Sequence, residues 1–383
     1  MAGIYIHIPF CRKACHYCNF HFSTSLHRKP ALLEAIKQEI YTTVFPAGVV
    51  PERNIETVYF GGGTPSLLET EELVAILDAM KQNYQVNENA EITLESNPDD
   101  ITEEKLSGWK NAGINRLSIG IQSFFEDDLK WMNRAHNAAQ AKACIALSRQ
   151  YGFNDLTIDL IYGTPTLTDQ QWQDNVATAL SLGINHLSCY ALTVEANTAL
   201  NHFIQKGKLP PVDEEKQGKH FELLVQWMEE AGFEQYEISN FSRPGHQSRH
   251  NSNYWSGKAY YGFGPAAHSF DGNKTRWWNI ANNAIYSEKI MAGKTVFESE
   301  ILTPVQRLNE IIMTSLRTMQ GLDLTVIDKQ IGQLSNTGMS RVNFYQQLEK
   351  NAAENLLTFE DDRAILTKKG KFFADGIASG LFL

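Results

Sequence analysis

The stretch IYIHIPFCRKACHYC, residues 4–18, joins a short apolar run to a loop that holds three cysteines. IYIHI (4–8) has the β-branched and aromatic composition of a strand. Cys11, Cys15 and Cys18 follow with the spacing C-x3-C-x2-C, in a chain that has five cysteines among 383 residues. Such a small, clustered set does not form a disulfide framework, and it predicts a metal-binding or catalytic site.

Beyond this loop the chain alternates short β-rich runs with amphipathic stretches. Several amphipathic stretches begin with Thr or Asp followed by Glu, and others end just before Gly, as helix termini prefer. Six consecutive β-α units predict a parallel sheet covered by helices. A partial (β/α)6 barrel fits this pattern better than an open sheet, although periodicity alone is compatible with both. The predicted strands are residues 4–8, 57–60, 91–96, 116–121, 156–162 and 186–192.

The pattern changes in the second part of the chain. Residues 236–290 are rich in aromatic residues, Gly and Asn, and they are predicted as a connecting segment. Helical periodicity then returns, and the tail predicts a helix, a hairpin that turns at residues 360–362, and another helix. We therefore expect a barrel domain at residues 1–235 and a small winged-helix-like α+β domain at residues 291–383.

Composition narrows the classes of partner and the compartment. The formal net charge is −10, and no Lys/Arg cluster is interleaved with aromatic residues, so a nucleic-acid partner is not expected. The first ten residues, MAGIYIHIPF, lack the charged and apolar regions of a signal peptide. No run approaches the roughly 18 apolar residues of a membrane span. These features predict a cytoplasmic protein.

Two metal sites are compatible with the cysteine loop. A tetrahedral zinc ion would need a fourth ligand, which His16 or His21 could supply. A [4Fe–4S] cluster held by Cys11, Cys15 and Cys18 would instead leave one iron open to a small molecule. The spacing favours the cluster over zinc, and unligated thiols are the third alternative.

Glycines and polar residues at predicted strand ends indicate a ligand site near this loop. The run GGGTPS (61–66) ends the second predicted strand, and its glycines either let a ligand approach the backbone or form a tight turn. Glu95, Gln122 and Asp159 stand near the ends of three later strands, and Arg134 is predicted on the helix after Gln122. Because the strands of a parallel barrel end on one face, these residues predict a polar cleft that suits an amino-acid-plus-nucleoside ligand.

The cysteine loop after YIHIPF, together with GGGTPS on the next strand, resembles the radical S-adenosylmethionine (SAM) superfamily. Through nearly its whole length the chain is similar to the branch that contains oxygen-independent coproporphyrinogen III oxidases and haem chaperones, including their HemN-type C-terminal domain. The resemblance implies a TIM-like partial barrel, a [4Fe–4S] cluster on Cys11, Cys15 and Cys18, and SAM at the open iron. It also implies SAM contacts from Tyr5, Gly62, Gly63, Thr64, Glu95, Gln122, Arg134 and Asp159.

Two positions favour the haem chaperones within this branch. The oxidases carry a further cysteine two positions after the third, where this chain has Phe20. Residues 250–255, HNSNYW, match the HNxxYW motif of the haem chaperones. The resemblance therefore implies a protein that binds haem as cargo and delivers it to soluble or membrane-associated apo-haemoproteins. The alternatives are a radical SAM enzyme of tetrapyrrole metabolism, acting on coproporphyrinogen III or on haem, and a zinc-structured binding module.

His250 is the predicted axial ligand of the haem iron. Neutral imidazole is the usual axial ligand, and flat aromatic side chains near His250 in sequence suit a porphyrin. His246 and His268 are rival ligands, and the alternative for His250 is a hydrogen-bonded histidine in a packed loop. The aromatic residues in question are Tyr254, Trp255, Tyr260, Tyr261, Trp277 and Trp278.

Overall fold

Six parallel strands form the centre of a mixed twelve-stranded sheet in the computed structural model, which describes residues 1–334 and 338–383. Each of the six pairs in parallel with the next one along the chain. The first and the sixth are not neighbours in the described sheet, so the barrel is partial. This arrangement confirms the predicted α/β fold. The strands are β1 (Ala2–Ile8), β2 (Asn54–Gly62), β3 (Gln85–Ser96), β4 (Arg116–Gln122), β5 (Asp155–Tyr162) and β6 (His186–Ala191).

Amphipathic helices connect these strands and bury their apolar faces. The longest of them buries five residues, among them Phe221 and Leu224. Others begin at side-chain caps, such as Thr168, whose hydroxyl accepts a hydrogen bond from the backbone N–H of Gln171. The helices are α1 (Lys29–Thr42), α2 (Thr70–Asn83), α3 (Glu103–Ala112), α4 (Glu126–Trp131), α5 (Ala138–Gln150), α6 (Asp169–Ser181), α7 (Ala199–Gln205) and α8 (Glu214–Glu230).

The prediction that Arg134 lies on a helix is wrong. The helix α4 ends at Trp131, and Asn133 adopts a left-handed conformation with φ of 61°. The next helix, α5, starts only after Asn137, whose side chain caps it. Asn is among the few residues that tolerate the left-handed region and also favour an N-cap, so two asparagines divide the stretch into two helices. Arg134 is consequently in a loop.

The aromatic stretch contributes strands to both edges of the large sheet. Two short strands extend it antiparallel beyond β6, and another pairs in parallel with β1 and continues into three antiparallel strands. Strands of three to five residues are too short to show clear alternation, so none was predicted. The division at residues 235 and 290 remains a prediction. These elements are β7 (Glu234–Glu237), β8 (Asn240–Ser242), α9 (Arg249–Trp255), β9 (Tyr260–Phe263), β10 (His268–Phe270), β11 (Thr275–Asn279), α10 (Asn283–Met291) and β12 (Phe297–Ile301).

The C-terminal part has a separate apolar core and its own three-stranded sheet. Buried residues such as Leu308, Ile312 and Leu348 form that core. The hairpin turns between Glu360 and Arg363, which confirms the predicted position of the turn. Helices flank the sheet, as expected for a winged-helix-like domain. The elements are α11 (Pro304–Leu316), β13 (Leu322–Asp323), α12 (Leu324–Gly332), α13 (Gly338–Ala353), β14 (Leu357–Glu360), β15 (Arg363–Leu366), α14 (Lys368–Phe372) and α15 (Ala374–Gly380).

None of the helices in residues 1–334 and 338–383 combines the length and the apolar character that crossing a membrane requires.

The carboxylate of Glu39 connects α1 to α10 and to the strands that extend the sheet beyond β1. Glu39 Oε2 accepts hydrogen bonds from the Gly264 backbone N–H at 2.9 Å and from the Tyr286 hydroxyl at 2.5 Å. Its Oε1 accepts from Asn279 Nδ2 at 2.6 Å. Burial raises the pKa of Glu39 to about 7. The carboxyl group therefore connects three segments that are distant in sequence.

Replacing Glu39 by alanine is expected to lower the free energy of unfolding by about 3 kcal/mol, because it leaves three donors without their acceptor. Urea unfolding followed by circular dichroism measures the change. Glu34→Ala is the matched control, since Glu34 is exposed on the same helix and its one ion pair among the described residues is with Lys37. Its effect should stay within about 0.5 kcal/mol. Equal effects of the two substitutions would show that the connection does not stabilise the fold.

Candidate functional site

A cleft of about 390 Å³ lies at the carboxyl ends of the parallel strands, beside the cysteine loop. It is the place where sites form in parallel barrels, because all strand ends meet there. The cleft brings together the three cysteines and seven of the eight residues that the resemblance assigned to SAM. The seven are Gly62, Gly63, Thr64, Glu95, Gln122, Arg134 and Asp159.

Hydrogen bonds from the barrel hold the cysteine loop in place. The backbone N–H of Cys11 donates to the Ser23 carbonyl at 3.1 Å, and the Thr64 hydroxyl donates to Cys11 Sγ at 3.5 Å. Arg134 Nη1 donates to Cys15 Sγ at 3.2 Å. Burial raises the pKa of Cys11 to about 11 and also raises the pKa of Cys18. These thiols would therefore need a cationic centre, such as iron, to be held as thiolates.

The three sulfurs line one cleft. Among the described residues, no group of three or more His, Cys, Asp or Glu side chains is placed to hold one metal ion. A tetrahedral zinc ion requires all its ligands at about 2.0–2.3 Å from one centre. The thiolates of an iron–sulfur cluster bind separate irons and can stand further apart. His16 and His21, the candidate fourth zinc ligands, are hydrogen-bonded to the Trp131 carbonyl and to Asn283, so the arrangement fits a cluster better than it fits zinc.

Glycines let the end of β2 pack closely on β1 and on the cysteine loop. Gly62 has φ of 108°, and a Cβ there would lie 2.6 Å from the His7 ring. A Cβ on Gly63 would lie 2.6 Å from the Phe10 carbonyl oxygen. Side chains at either position are therefore excluded, and backbone borders the cleft where a ligand would approach.

Two carboxyl groups in the cleft have pKa values above their usual range. Glu95 accepts hydrogen bonds from the Tyr59 hydroxyl at 2.7 Å and from the Gly62 N–H at 3.2 Å. Burial nevertheless raises the pKa of Glu95 to about 7, and burial raises the pKa of Asp159 to about 6. A cationic ligand would favour the ionised form of both groups. The cleft is therefore suited to a ligand that carries positive charge.

Arg134 links the cysteine loop to the strand ends. Its Nη2 donates to Asn97 Oδ1 at 2.6 Å and to the Gly120 carbonyl at 2.7 Å, while Nη1 faces Cys15. Its Nε is buried, as is the hydroxyl of Ser96, and neither atom has a hydrogen-bond partner among the described residues. Both residues line the cleft. Buried polar atoms without partners are what a site for a polar ligand such as SAM would leave in its absence.

The cleft also contains residues that the sequence pattern did not single out. Asn97 bridges Arg134 and the Thr64 hydroxyl, to which it donates at 3.3 Å. Asn97 directly follows β3, and Glu95 is the last residue but one of that strand. The position of Asn97 at a strand end could therefore have identified it. Tyr17 and Tyr190 also line the cleft. Tyr17 could have been found because it lies between Cys15 and Cys18, whereas no local signal marks Tyr190.

Tyr5 and His250 line a second cavity of about 220 Å³ inside the barrel. Glu95 and Asp159 border this cavity and the cleft alike. The Tyr5 hydroxyl is hydrogen-bonded to His7 Nδ1 at 3.0 Å. A small-molecule site usually encloses about 300–1,000 Å³, so this cavity is too small for haem.

His250 is buried on α9 at the opposite end of the barrel from the cysteines. Its Nδ1 is 2.8 Å from Thr57 Oγ1, and its Nε2 is 3.3 Å from the Tyr254 hydroxyl. The backbone N–H of His250 donates to Glu91 near the start of β3. Thr57 precedes Gly62 by five residues on β2, or about 16 Å along a parallel strand. The cavity that His250 lines is too small for haem, and its role as axial ligand remains a prediction. Its rivals, His246 and His268, are both exposed.

Comparison with known proteins agrees with the geometry of the cleft. Residues 5–179 match the family model of the radical SAM superfamily, and residues 302–373 match that of the HemN C-terminal domain. The fold is similar to the solved structure of coproporphyrinogen III oxidase (HemN) from Escherichia coli, with a TM-score of 0.84 and 23% identity. That similarity covers 100% of this chain and 90% of the other.

Similarity to curated proteins extends over almost the whole chain. The chain is 34% identical to the heme chaperone HemW of Mycobacterium tuberculosis H37Rv, covering 99% of this chain and 94% of that protein. It is 33% identical to the heme chaperone HemW of Bacillus subtilis, covering 100% of this chain and 99% of that protein.

Fold, cleft and family models together define a radical SAM protein, a class that uses SAM and a [4Fe–4S] cluster. Within that class the chain belongs to the heme chaperone HemW family. The resemblance inferred from the cysteine and glycine motifs is thereby confirmed.

Proposed function

We propose that this protein binds haem as cargo and transfers it to apo-haemoproteins in the cytoplasm. The observation that carries the proposal is the similarity to haem chaperones at 33–34% identity over 99–100% of the chain. Phe20 supports it, because this side chain is 67% exposed at the cleft where the oxidase branch has a further cysteine. Phenylalanine cannot replace a cysteine as a metal ligand or as a donor of a hydrogen bond or a proton.

The cleft would hold both cofactors. Cys11, Cys15 and Cys18 would bind the [4Fe–4S] cluster, and SAM would occupy the space bordered by Gly62, Glu95 and the other predicted contacts. Its volume of about 390 Å³ is within the usual range of small-molecule sites. When bound, the cluster supplies one-electron chemistry and an open coordination position. Arg134 would orient Cys15, and Glu95 and Asp159 would balance the positive charge of the sulfonium.

Haem transfer provides the direct test. Anaerobically reconstituted protein is loaded with haem and mixed with apo-haemoproteins, and the appearance of the holo-acceptor spectrum is followed. We expect saturable haem binding and transfer that is faster than from haem-loaded serum albumin, a passive donor. Absence of saturable haem binding, or transfer no faster than from albumin, would contradict the proposal.

Two further measurements separate the alternatives. Stoichiometric 5′-deoxyadenosine formed with haem or coproporphyrinogen III present would indicate a radical SAM enzyme instead. Haem binding by His250→Ala tests the predicted axial ligand. Unchanged binding in that variant would refute the role of His250 and leave the chaperone proposal intact.

A further inference from the structure

A third cavity, of about 450 Å³, opens on the surface beside the cysteine loop. Its walls are formed by residues of the segment 21–28, which follows the third cysteine, by residues 281–284 at the start of α10, and by Phe10. We call it the histidine cleft, because His21 and His27 both line it. If the proposed function is correct, the haem cargo needs a site that the barrel cavity around His250 is too small to provide.

We propose that haem binds in the histidine cleft, with His27 as an axial ligand and Arg28 as the partner of a propionate. Haem presents a flat apolar macrocycle, an iron that binds imidazole, and two carboxylates. The cleft offers a matching group for each: the ring of Phe22 and the methyl group of Ala284, the imidazoles, and the guanidinium of Arg28. Guanidinium groups suit carboxylates because of their planar donor geometry.

The two histidines are not equivalent. His21 Nε2 is 2.7 Å from Asn283 Oδ1, and the His21 ring is stacked near His7 with centroids 6.2 Å apart. His27 is exposed, and its ring makes no hydrogen bond within residues 1–334 and 338–383. Arg28 is likewise exposed and makes no ion pair with a described residue. His27 and Arg28 can therefore bind a ligand without losing an existing interaction, whereas His21 is part of the wall.

The histidine cleft and the cofactor cleft share one loop. Phe22 lines both of them. Ser23, also in the histidine cleft, accepts a hydrogen bond from the Cys11 N–H and donates its own N–H to the Pro9 carbonyl at 2.9 Å. Haem in this position would lie next to the cluster, while His250 is at the far end of the barrel.

The test is haem titration of the cluster-loaded full chain, followed by haem difference spectra and electron paramagnetic resonance. His27→Ala is expected to weaken haem binding by about 10–100-fold and to remove the signature of imidazole ligation. His27→Cys should retain haem and change the spectrum to that of a thiolate ligand. Arg28→Gln should weaken binding about threefold.

His202→Ala is the matched control, because His202 is also exposed but lies outside the cleft. It should bind haem as the wild type does. Wild-type affinity and spectrum in both His27 variants would overturn the histidine cleft while leaving haem binding itself established. If the wild-type chain binds no haem, the proposed function fails first, so the two failures are distinguishable.

Discussion

Cys15→Ala is expected to abolish the iron–sulfur cluster. Three thiolates are the fewest that hold a [4Fe–4S] cluster with one open iron, and the cysteine loop offers no further cysteine. The substitution also removes the sulfur to which Arg134 donates. Iron and sulfide content after anaerobic reconstitution measures the result. We expect about four irons per wild-type chain and less than about one tenth of that in the variant.

Cys144→Ala and Cys189→Ala are the controls for this prediction. Both thiols are buried in the apolar core, on α5 and β6, and neither lines the cleft. These variants should retain the full iron content and lose about 1 kcal/mol of stability from the small cavity. Full iron content in Cys15→Ala would refute the ligand assignment.

SAM affinity is expected to depend on pH through Glu95. Burial raises the pKa of Glu95 to about 7, so below this pH the carboxyl group is mostly neutral in the ligand-free protein. The sulfonium of SAM is positive at every pH, and it favours the carboxylate. Affinity should therefore rise by up to about tenfold per pH unit below pH 7 and level off above it. Burial also raises the pKa of Asp159, to about 6, which steepens the rise at the acidic end.

Glu95→Gln should weaken SAM binding by roughly tenfold at pH 8, because the charge-assisted contact is lost. It should also flatten the profile, leaving only the part due to Asp159. Equilibrium dialysis of the cluster-loaded protein between pH 6 and 8 measures both effects. Glu88→Gln, on the exposed part of the same strand, should behave as the wild type does. A wild-type slope in Glu95→Gln would contradict the assignment.

Long periodic segments and local motifs could be predicted from the sequence. The six β-α units and the C-terminal hairpin have repeats long enough to identify, and the cysteines and glycines are adjacent in sequence. The polar cleft could be predicted because the strands of a parallel barrel end on one face. Arg134 lies in the cleft as expected, although the prediction that it lies on a helix is wrong, because a loop can place the same side chain there.

The position of His250 could not be predicted, because contacts distant in sequence determine it. Its ring meets Thr57, 193 residues earlier, and its backbone is held by Glu91, 159 residues earlier. The strands around it, from Tyr260 to Ile301, are also stabilised by neighbours in space more than by local propensity. Such pairings leave no periodic signal.

If haem binds in the histidine cleft, the connection made by Glu39 has a consequence for its binding. The helix α1 starts directly after the loop 21–28, and Tyr286 lies on the helix that starts at the opposite wall of the histidine cleft. Glu39 joins α1 to α10, so we expect it to hold those walls at a fixed separation, although it is not among the residues that line the cleft. Loss of the Glu39 carboxylate would weaken haem binding without removing any group that contacts haem. The size of the ligand that the cleft accepts would then depend on Glu39, a buried residue that does not contact the ligand.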